Sequence, residues 1–318
     1  MTFKVLIADK LGQAGLTCLD QMGDISYDVR TGLSKQALIE AIPEYEAVIV
    51  RSDTQIDADV IAAAQRLRVI GRAGIGVDNI DVEAAARHGI MVMNTPHSNS
   101  VATAEQTLAL ILAASRHTVQ AHNSLAAGEW ARSRFVGMEI FEKTLGIIGF
   151  GYIGRLVARR AQAFGMRVVA YDPYVSPATG AETGVDLLPL DALLAAADII
   201  TLHAVVTPET KGIINAQTIA AMKDGVVIVN VARGKLIDEQ ALAGALRSGK
   251  VAAAGLDVYQ EEPPANSPLI GLPTVIHTPH LGASTQEAQH RVGIEIAEQV
   301  ADAVRGVDFR NVLTPLAV

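Results

Sequence analysis

The sequence predicts an α/β fold made of two doubly wound parallel-sheet domains. Short apolar runs alternate with helix-like segments from one end of the chain to the other, and this alternation favours parallel strands joined by crossover helices. Half of the residues are hydrophobic and only 19% are charged, which is typical of globular proteins. A chain of 318 residues is long enough to form two hydrophobic cores.

Strands and helices alternate in the first part of the chain. Apolar runs predict strands at residues 4–8, 27–30, 47–51, 69–72 and 91–94. Helical spacing occurs at residues 35–41, 58–64 and 82–88. The next stretch, residues 101–127, keeps helical spacing without a glycine before Gly128, and Asn99 or Ser100 can cap it. It is a candidate linker helix between domains, a dimerisation element, or both.

A second alternation follows this long helical stretch. Strands are predicted at residues 144–148, 167–171, 199–202, 226–229, 253–257 and 275–277. A last helix, from Thr285 to about Val304, comes after these strands have ended. We expect it to return to the first domain, which then comprises residues 1–99 and 285–318, while residues 100–284 form the second domain.

Charge and cysteine content exclude several classes of partner. The net charge is −8 and there is no basic block, so a nucleic-acid partner, which needs clustered cations, is not expected. The single cysteine, Cys18, excludes an internal disulfide and a Cys-rich zinc site and fits a reducing compartment; no metal site is predicted. No apolar run has membrane-spanning length, and the N-terminus lacks a signal-peptide pattern. We therefore expect a cytoplasmic protein without a membrane partner.

A glycine-rich turn carries the first functional signal. It reads Gly149-Phe150-Gly151-Tyr152-Ile153-Gly154. The turn follows a predicted strand and opens a helical pattern, and the next strand ends at Asp172, which together make the βαβ fingerprint of a dinucleotide site. Gly149 permits the tight turn, Gly151 lets the backbone approach a pyrophosphate, and Gly154 lets helix and strand pack closely. The phosphates would lie at the positive end of the helix.

Asp172 distinguishes between the two nicotinamide dinucleotides. Its carboxylate would accept hydrogen bonds from the adenosine ribose hydroxyls and repel a 2′-phosphate. No arginine follows directly, because the next residues are Pro173, Tyr174 and Val175. The sequence therefore predicts NAD rather than NADP as the cofactor.

Three later blocks contain polar residues suited to redox chemistry. They are Val229-Asn230-Val231-Ala232-Arg233-Gly234, Leu256-Asp257-Val258-Tyr259-Gln260-Glu261-Glu262-Pro263 and Thr278-Pro279-His280-Leu281-Gly282-Ala283. With the glycine-rich turn and the early block Arg72-Ala73-Gly74-Ile75-Gly76-Val77-Asp78-Asn79, they closely resemble the D-isomer-specific 2-hydroxy acid dehydrogenase family over essentially the whole chain. Within it the resemblance is to the phosphoglycerate-type members, in a short form without a C-terminal regulatory domain. The resemblance implies a Rossmann dinucleotide-binding domain inserted in a flavodoxin-like substrate domain.

The resemblance implies catalytic roles for three residues. His280 would be the acid/base, because imidazole changes charge near neutral pH. Glu262 would hold the His280 ring and stabilise its protonated form; Glu261 is the competing candidate, and spacing to His280 favours Glu262. Arg233 would bind the substrate carboxylate and polarise the carbonyl oxygen through its planar guanidinium.

The resemblance also implies a set of cofactor contacts. The set comprises Gly149, Gly151, Tyr152, Ile153, Gly154, Asp172, His203, Val231, Asp257, His280, Gly282 and Ala283. His203 is expected to line the cofactor cleft because it ends a predicted strand. Asp257 would face the nicotinamide; the alternative is an acid that ends a strand and caps a turn.

Substrate contacts are expected mainly in the first domain. The resemblance implies Arg51, Ser52, Ala73, Gly74 and Ile75, together with Arg233. The turn at residues 72–76 would present backbone N–H groups to a carboxylate. The Arg51-Ser52 pair, which phosphoglycerate-type members also have, would hold an anionic tail; alternatively, Arg51 is a solvated strand-end residue. Arg132 and Arg134 either reach the pocket of a neighbouring subunit or lie on a surface loop.

The resemblance implies an NAD-dependent oxidoreductase that acts as a homodimer on a small anionic 2-hydroxy or 2-keto acid. Oxidation of 3-phosphoglycerate to 3-phosphohydroxypyruvate is the leading expectation for the reaction. One alternative is the reduction of glyoxylate, hydroxypyruvate or another 2-keto acid. An alternative from a different class is a non-catalytic NAD-sensing protein, like the transcriptional corepressors that share this fold.

Overall fold

A computed structural model of the chain describes residues 2–314; Met1 and residues 315–318, the two ends of the predicted first domain, lie outside the described residues. The chain forms two compact units. One consists of the residues up to Asn99 together with those from Ala283 onwards, and the other is Ser100–Gly282. Each unit contains helices and a parallel sheet, which confirms the predicted fold class.

Most strands lie within two residues of their predicted positions. The strands are β1 Phe3–Ile7, β2 Ile25–Val29, β3 Ala47–Val50, β4 Val69–Arg72, β5 Met91–Asn94, β6 Thr144–Ile148, β7 Arg167–Tyr171, β8 Asp186–Leu187, β9 Ile199–Leu202, β10 Val226–Asn230, β11 Val251–Leu256 and β12 Val275–His277. The helices are α1 Gln13–Asp20, α2 Lys35–Ala41, α3 Ala58–Ala63, α4 Val82–Arg87, α5 Ser100–Arg116, α6 Thr118–Ala126, α7 Tyr152–Ala163, α8 Pro177–Thr183, α9 Leu190–Ala196, α10 Ala216–Ala221, α11 Glu239–Ser248 and α12 Gln286–Arg305. Within the described residues, no helix is both long enough and apolar enough to cross a membrane.

The first unit is built on a five-stranded sheet with the order β2-β1-β3-β4-β5, which is the flavodoxin-like order. β1 pairs with both β2 and β3, so the chain turns to opposite sides of β1, and the topological switch point lies between β1 and β3. Buried apolar side chains form two core clusters in this unit. Ligands of open α/β sheets bind beyond the carboxyl ends of the strands at such a switch point.

The C-terminal helix α12 packs against this sheet. A Cβ atom on Gly71 of β4 would lie 2.4 Å from Val300 Cγ2, so the missing side chain makes room for the helix. Glycines also allow α12 to approach α1, because a Cβ atom on Gly15 would lie 2.7 Å from the carbonyl oxygen of Gly293. The last helix is therefore part of the core of the first unit.

The second unit is built on a seven-stranded sheet with the order β12-β11-β10-β9-β6-β7-β8. Counted from β6, this is the doubly wound order of a Rossmann domain extended by one strand. β6 pairs with β7 on one side and with β9 on the other, so the switch point of this sheet lies between β6 and β9. No sequence pattern marks β8, which has only two residues.

The predicted helical stretch at residues 101–127 forms two helices rather than one. His117 adopts φ +52° and separates α5 from α6. Histidine is among the residues that tolerate this left-handed region better than most. The N–H of Met138 donates to the carbonyl oxygen of Ser115 at 2.7 Å, and Gly137 lies so close to that oxygen that a Cβ atom would come within 2.4 Å. A distant segment therefore satisfies a carbonyl at the end of α5, which helical periodicity cannot reveal.

Candidate active site

The carboxyl edge of the second sheet gathers most of the predicted site residues. Five of them directly follow a strand: Gly149 after β6, Asp172 after β7, His203 after β9, Val231 after β10 and Asp257 after β11. His280 lies three residues after β12. Because the paired strands are parallel, these residues share one edge, where ligands of doubly wound sheets bind.

Gly149 is required by both backbone conformation and space. Its φ of +92° lies in the region that side chains disfavour. A Cβ atom there would lie 2.5 Å from the amide nitrogen of Ala204 and from the carbonyl carbon of His203. The glycine therefore allows the segments after β6 and β9 to touch at the switch point of the sheet.

Gly151 and Gly154 serve different purposes. A Cβ atom on Gly154 would lie 2.4 Å from the carbonyl oxygen of Gly149, so this glycine lets α7 pack on the turn. A Cβ atom on Gly151 would meet no atom within 4 Å. Gly151 is also the N-cap of α7 and provides no side-chain cap, and Tyr152 and Ile153 are the first two residues of that helix. This open helix N-terminus fits the pyrophosphate of NAD.

Asp172 is bound directly to the glycine-rich turn. Its Oδ2 accepts a hydrogen bond from the N–H of Phe150 at 2.8 Å, and its Oδ1 accepts one from the N–H of Tyr174 at 3.0 Å. The carboxylate is therefore fixed at the end of β7 beside the turn. Carboxylate oxygens can accept further hydrogen bonds, so the fixed group also fits the predicted contact with the ribose hydroxyls.

His203 lies at the switch point with a neutral ring. Burial lowers the pKa of His203 to about 3. Its Nε2 is 3.1 Å from the Oγ1 of Thr201, and its backbone N–H donates to the carbonyl oxygen of Ile148 at 2.7 Å. A neutral, half-buried imidazole beside Gly149 is compatible with the predicted place along the cofactor cleft.

His280 and Glu262 form the central polar pair of the site. The Nδ1 of His280 is 2.7 Å from the Oε2 of Glu262, and the N–H of Tyr259 donates to the Oε1 at 3.1 Å. Burial opposes ionisation of Glu262, but the hydrogen bond and charge of His280, the N–H of Tyr259 and the charge of Arg233 hold the pKa of Glu262 below its usual value. Glu262, rather than its neighbour Glu261, is thus the carboxylate that contacts the His280 ring.

The turn that carries Arg233 is held by Asn230, a residue missing from the predicted site. Asn230 is fully buried; its Nδ2 donates to the carbonyl oxygen of Arg233 at 2.8 Å, and its Oδ1 accepts from the N–H of Ala232 at 3.0 Å. At Gly234 a Cβ atom would lie only 1.8 Å from the carbonyl carbon of Tyr259. This contact fixes the Arg233 turn against the segment that carries Glu262.

Asp257 organises the loop that carries His280. The side chain is fully buried, and its carboxylate accepts hydrogen bonds from the Oγ1 of Thr278 at 2.5 Å and from the N–H groups of Leu281 and Gly282 at 2.7 and 2.8 Å. The backbone oxygen of Asp257 accepts from the N–H of His280 at 2.8 Å. The structure therefore contains the turn-capping arrangement that the sequence left open as the alternative to a nicotinamide contact.

His280 itself has φ +54°, a backbone conformation that is uncommon for residues other than glycine. The buried carboxylate of Asp257 bonds to the loop on both sides of this residue, and such surrounding contacts are what maintain a sparsely populated conformation at a functional site. Three further residues of the predicted cofactor set lie near this loop. A Cβ atom on Gly282 would lie 3.1 Å from Val231 Cγ1, and the carbonyl oxygen of Ala283 accepts a hydrogen bond from Gln289 Nε2 at 2.7 Å.

Glu239 supports the other loop of the site, and sequence reasoning also missed it. It is the first residue of α11 and is nearly buried. Its Oε1 accepts from the N–H of Gln260 at 2.8 Å and its Oε2 from the Oγ of Ser267 at 2.6 Å. These contacts join residues more than twenty positions apart, so no local pattern could have indicated them.

The predicted substrate residues of the first unit lie at the ends of β3 and β4. Arg51 and Ser52 follow β3, and residues 73–75 follow β4. The N–H of Ala73 donates to the carbonyl oxygen of Val50 at 2.8 Å and that of Gly74 to the carbonyl oxygen of Arg72 at 2.9 Å. These two N–H groups of the 72–76 turn are therefore engaged within the unit.

Arg132 and Arg134 lie on a short 3-10 helix, Arg132–Phe135, and both are exposed. The guanidinium of Arg134 forms an ion pair with Glu129 at 3.0 Å and donates to the Oγ of Ser124 at 3.4 Å. Arg134 is thus tied to its own unit by two contacts, as a surface-loop residue would be.

A glycine-rich turn that fits NAD lies on the same sheet edge as a histidine–carboxylate pair and an arginine, which is the arrangement of a dinucleotide-binding domain. Residues 108–282 match the family described as D-isomer specific 2-hydroxyacid dehydrogenase, NAD binding domain. The chain belongs to this family and binds NAD through this domain.

Three comparisons illustrate the similarity. The chain is 48% identical to the D-3-phosphoglycerate dehydrogenase of Archaeoglobus fulgidus over 97% of its own length and 58% of that protein, so it spans less than two thirds of this relative. A crystal structure of a glyoxylate reductase from Paecilomyes thermophila is 33% identical with a TM-score of 0.90 and 98% coverage of each chain. The D-lactate dehydrogenase from Aquifex aeolicus complexed with NAD and lactic acid is 28% identical with a TM-score of 0.90, over 98% of this chain and all of that one.

Proposed function

We propose that the chain is an NAD-dependent oxidoreductase that transfers a hydride between a D-2-hydroxy acid and NAD. The single observation that carries this proposal is the 2.7 Å contact between His280 Nδ1 and Glu262 Oε2, at the same sheet edge as the glycine-rich turn. Family membership supports the reaction class. The proposed substrate pair is 3-phosphoglycerate and 3-phosphohydroxypyruvate.

His280 serves as the acid/base in this proposal. Because its Nδ1 faces an ionised carboxylate, Nδ1 carries a proton and Nε2 is the nitrogen that exchanges a proton with the substrate. In the oxidation direction neutral His280 accepts the hydroxyl proton at Nε2, and Glu262 stabilises the resulting imidazolium. NAD, when bound, supplies the acceptor for the hydride. In the reduction direction the protonated ring returns the proton to the carbonyl oxygen.

Arg233 and the remaining predicted contacts would position the acid and the cofactor. The Arg233 guanidinium is proposed to bind the substrate carboxylate and to polarise the reacting carbonyl, since its planar fork matches a carboxylate. Gly149, Gly151, Gly154 and Asp172 are proposed to hold the dinucleotide. His203, Val231, Asp257, Gly282 and Ala283 complete the proposed cofactor set.

The phosphorylated substrate is proposed from two observations. Curated relatives named D-3-phosphoglycerate dehydrogenase cover most of the chain at 46–52% identity. Arg51 follows β3 at the switch point of the first sheet, and among the described residues its guanidinium has no ion-pair partner. A cation in such a place is suited to a phosphate tail.

Glyoxylate or hydroxypyruvate is the second candidate substrate. It is favoured by the glyoxylate reductase structure, which this chain matches along nearly its whole length. An unphosphorylated acid would have no anionic tail for Arg51 to hold.

A substrate panel tests the proposal. NADH oxidation by the purified chain is measured with phosphohydroxypyruvate, hydroxypyruvate and glyoxylate. The highest kcat/KM is expected for the phosphorylated acid, while a higher value for either unphosphorylated acid would transfer the assignment to the second candidate. NADH binding without turnover of any of the acids would contradict both and favour an NAD-sensing protein.

We further propose that the protein works in the cytoplasm as a homodimer. The single cysteine supports a reducing compartment. Sedimentation of the purified chain would show twice the monomer mass of 33.5 kDa, and a monomeric mass would contradict the second part of the proposal.

A further inference from the structure

A buried carboxylate lies behind the proposed phosphate-binding residue of the first unit. Asp9 follows β1 and is only 4% exposed. Its Oδ2 accepts from the N–H of Arg51 at 2.6 Å and from the N–H of Thr54 at 3.2 Å, and its Oδ1 accepts from the Oγ1 of Thr54 at 2.6 Å. One side chain therefore binds both ends of the segment Arg51-Ser52-Asp53-Thr54, named here the 51–54 turn.

Asn79 binds the same turn through the opposite type of group. It is 8% exposed, and its Nδ2 donates to the carbonyl oxygens of Arg51 and Thr54 at 2.8 and 2.6 Å. Asp9 thus takes the two N–H groups and Asn79 the two carbonyls of the residues that begin and end the turn. Buried backbone groups need such partners, and two side chains supply all of them here.

Asp9 and Asn79 together are named here the clamp of the 51–54 turn. The position of this clamp in the sheet points to a ligand site. β1 and β3 are neighbours, with Ile7 paired to Ile49, so Asp9 and Arg51 both lie just beyond the carboxyl ends of the two strands that border the switch point. This is where open α/β sheets bind ligands. Ser52 and Asp53 are exposed, so the clamp fixes the base of the turn while its tip remains open to solvent.

The charge of Asp9 determines what it can do there. A carboxylate repels an anionic substrate, so Asp9 would weaken the site if it faced the ligand. Instead, its two oxygens accept hydrogen bonds from three donors of the 51–54 turn. Hydrogen bonds to a charged acceptor are stronger than those between neutral groups. Its effect on binding therefore passes through the backbone of Arg51.

We infer that Asp9 is a positioning residue that holds the 51–54 turn so that Arg51 can bind the anionic tail of the substrate. This inference rests on the proposed function. It predicts that Asp9 affects substrate affinity and hardly affects either NADH binding or the chemical step, because those depend on the second unit.

The test uses the full chain and the 2-keto acid that the wild-type protein reduces best. Asp9→Asn keeps the size of the side chain but places an amide where two acceptor oxygens are needed. Relative to wild type, KM is expected to rise about tenfold or more. The kcat and the Kd for NADH are expected to stay within about twofold of wild type, a change smaller than the loss of one charged hydrogen bond would cause. Arg51→Ala is expected to change KM in the same direction, and Asp53→Asn, on the exposed tip, is the matched control that should leave KM unchanged.

Thr54→Val provides a milder second variant, since it removes one of the three donors and preserves shape. An intermediate rise in KM would support the inference even if Asp9→Asn folds poorly. If Arg51→Ala raises KM while both clamp variants leave it unchanged, the inference is overturned and the proposed role of Arg51 survives. If Arg51→Ala itself has no effect on KM, both the inference and the proposed role of Arg51 fail. If wild type reduces none of the acids, the proposed function fails as well. A parallel loss of kcat, NADH affinity and thermal stability in both clamp variants would show that Asp9 is only structural.

Discussion

The carboxylate of Glu262 connects the backbone of Tyr259 to the ring of His280: it accepts the N–H of Tyr259 at 3.1 Å through one oxygen and lies 2.7 Å from His280 Nδ1 through the other. Because both oxygens are used, the orientation of the carboxylate is fixed and so is that of the ring. The arrangement leaves Nε2 as the nitrogen that can exchange a proton with a substrate.

His280→Asn is expected to reduce kcat by about 10²–10⁴-fold, the usual contribution of a positioned acid or base. The Kd for NADH, measured by fluorescence, is expected to stay close to the wild-type value, because the cofactor turn lies on other strands. His290→Asn, on the exposed side of α12, is the control. Loss of NADH binding in His280→Asn would instead indicate a structural role for the residue.

Glu262→Gln and Glu261→Gln form a matched pair of neighbouring substitutions. Glu262→Gln is expected to lower kcat/KM by about 10–100-fold, since it replaces a charged hydrogen-bond acceptor of His280. The variant also removes the negative charge that stabilises the imidazolium formed in the oxidation direction. Glu261→Gln should resemble wild type; a larger effect there than at position 262 would reverse the assignment.

Alanine should lower the stability of the protein at Gly149 but not at Gly151. At Gly149 the positive φ predicts that backbone strain lowers the free energy of unfolding by about 1–3 kcal/mol. The added Cβ atom would also lie 2.5 Å from backbone atoms of His203 and Ala204, so overpacking adds to this loss. At Gly151 the methyl meets no protein atom, so denaturant unfolding should show an unchanged or slightly higher free energy of unfolding. NADH binding should nevertheless weaken in Gly151→Ala, because the methyl occupies the approach to the turn. Unchanged affinity would contradict the proposed pyrophosphate position.

Asp172→Ala should reduce the preference for NAD over NADP by about tenfold or more, since it removes charged hydrogen bonds and the repulsion of a 2′-phosphate. The variant also removes the acceptor for the N–H of Phe150, so affinity for both cofactors should fall. Asp172→Asn separates the two effects, because its amide oxygen can still bind Phe150. The ratio of kcat/KM values for NADH and NADPH is the measurement, and a wild-type ratio in both variants would refute the role.

The stability of the second unit should fall as pH drops below about 6.5, the ordinary pKa of histidine. Burial lowers the pKa of His203 to about 3 in the folded protein, so between these values the unfolded chain binds a proton that the folded chain does not. This linkage costs at most about 1.4 kcal/mol per pH unit. In His203→Asn the free energy of unfolding, measured between pH 7 and 5, should decline less steeply than in wild type. An equal slope would mean that His203 is protonated in the folded state.

The sequence alone was enough to predict the strand positions, the glycine-rich turn and the acid after β7. These signals are hydrophobic periodicity and glycines at fixed spacing, and both depend only on residues that are close together in the sequence. The choice between Glu261 and Glu262 could also be argued from spacing. The sequence alone did not determine the break at His117, which depends on the approach of the segment around Gly137 to the end of α5.

Only the tertiary structure showed which residues hold the site in place. Glu239, Asp9 and Asn79 are buried polar residues whose partners lie far along the chain, whereas Asn230 holds the Arg233 turn directly after its own strand. The structure also showed that Asp257 caps the His280 loop. A buried polar group must be paired, but its identity in the sequence does not say with what. The sequence alone therefore determined the type of chemistry, while the tertiary structure determined the positions of the groups proposed to perform it.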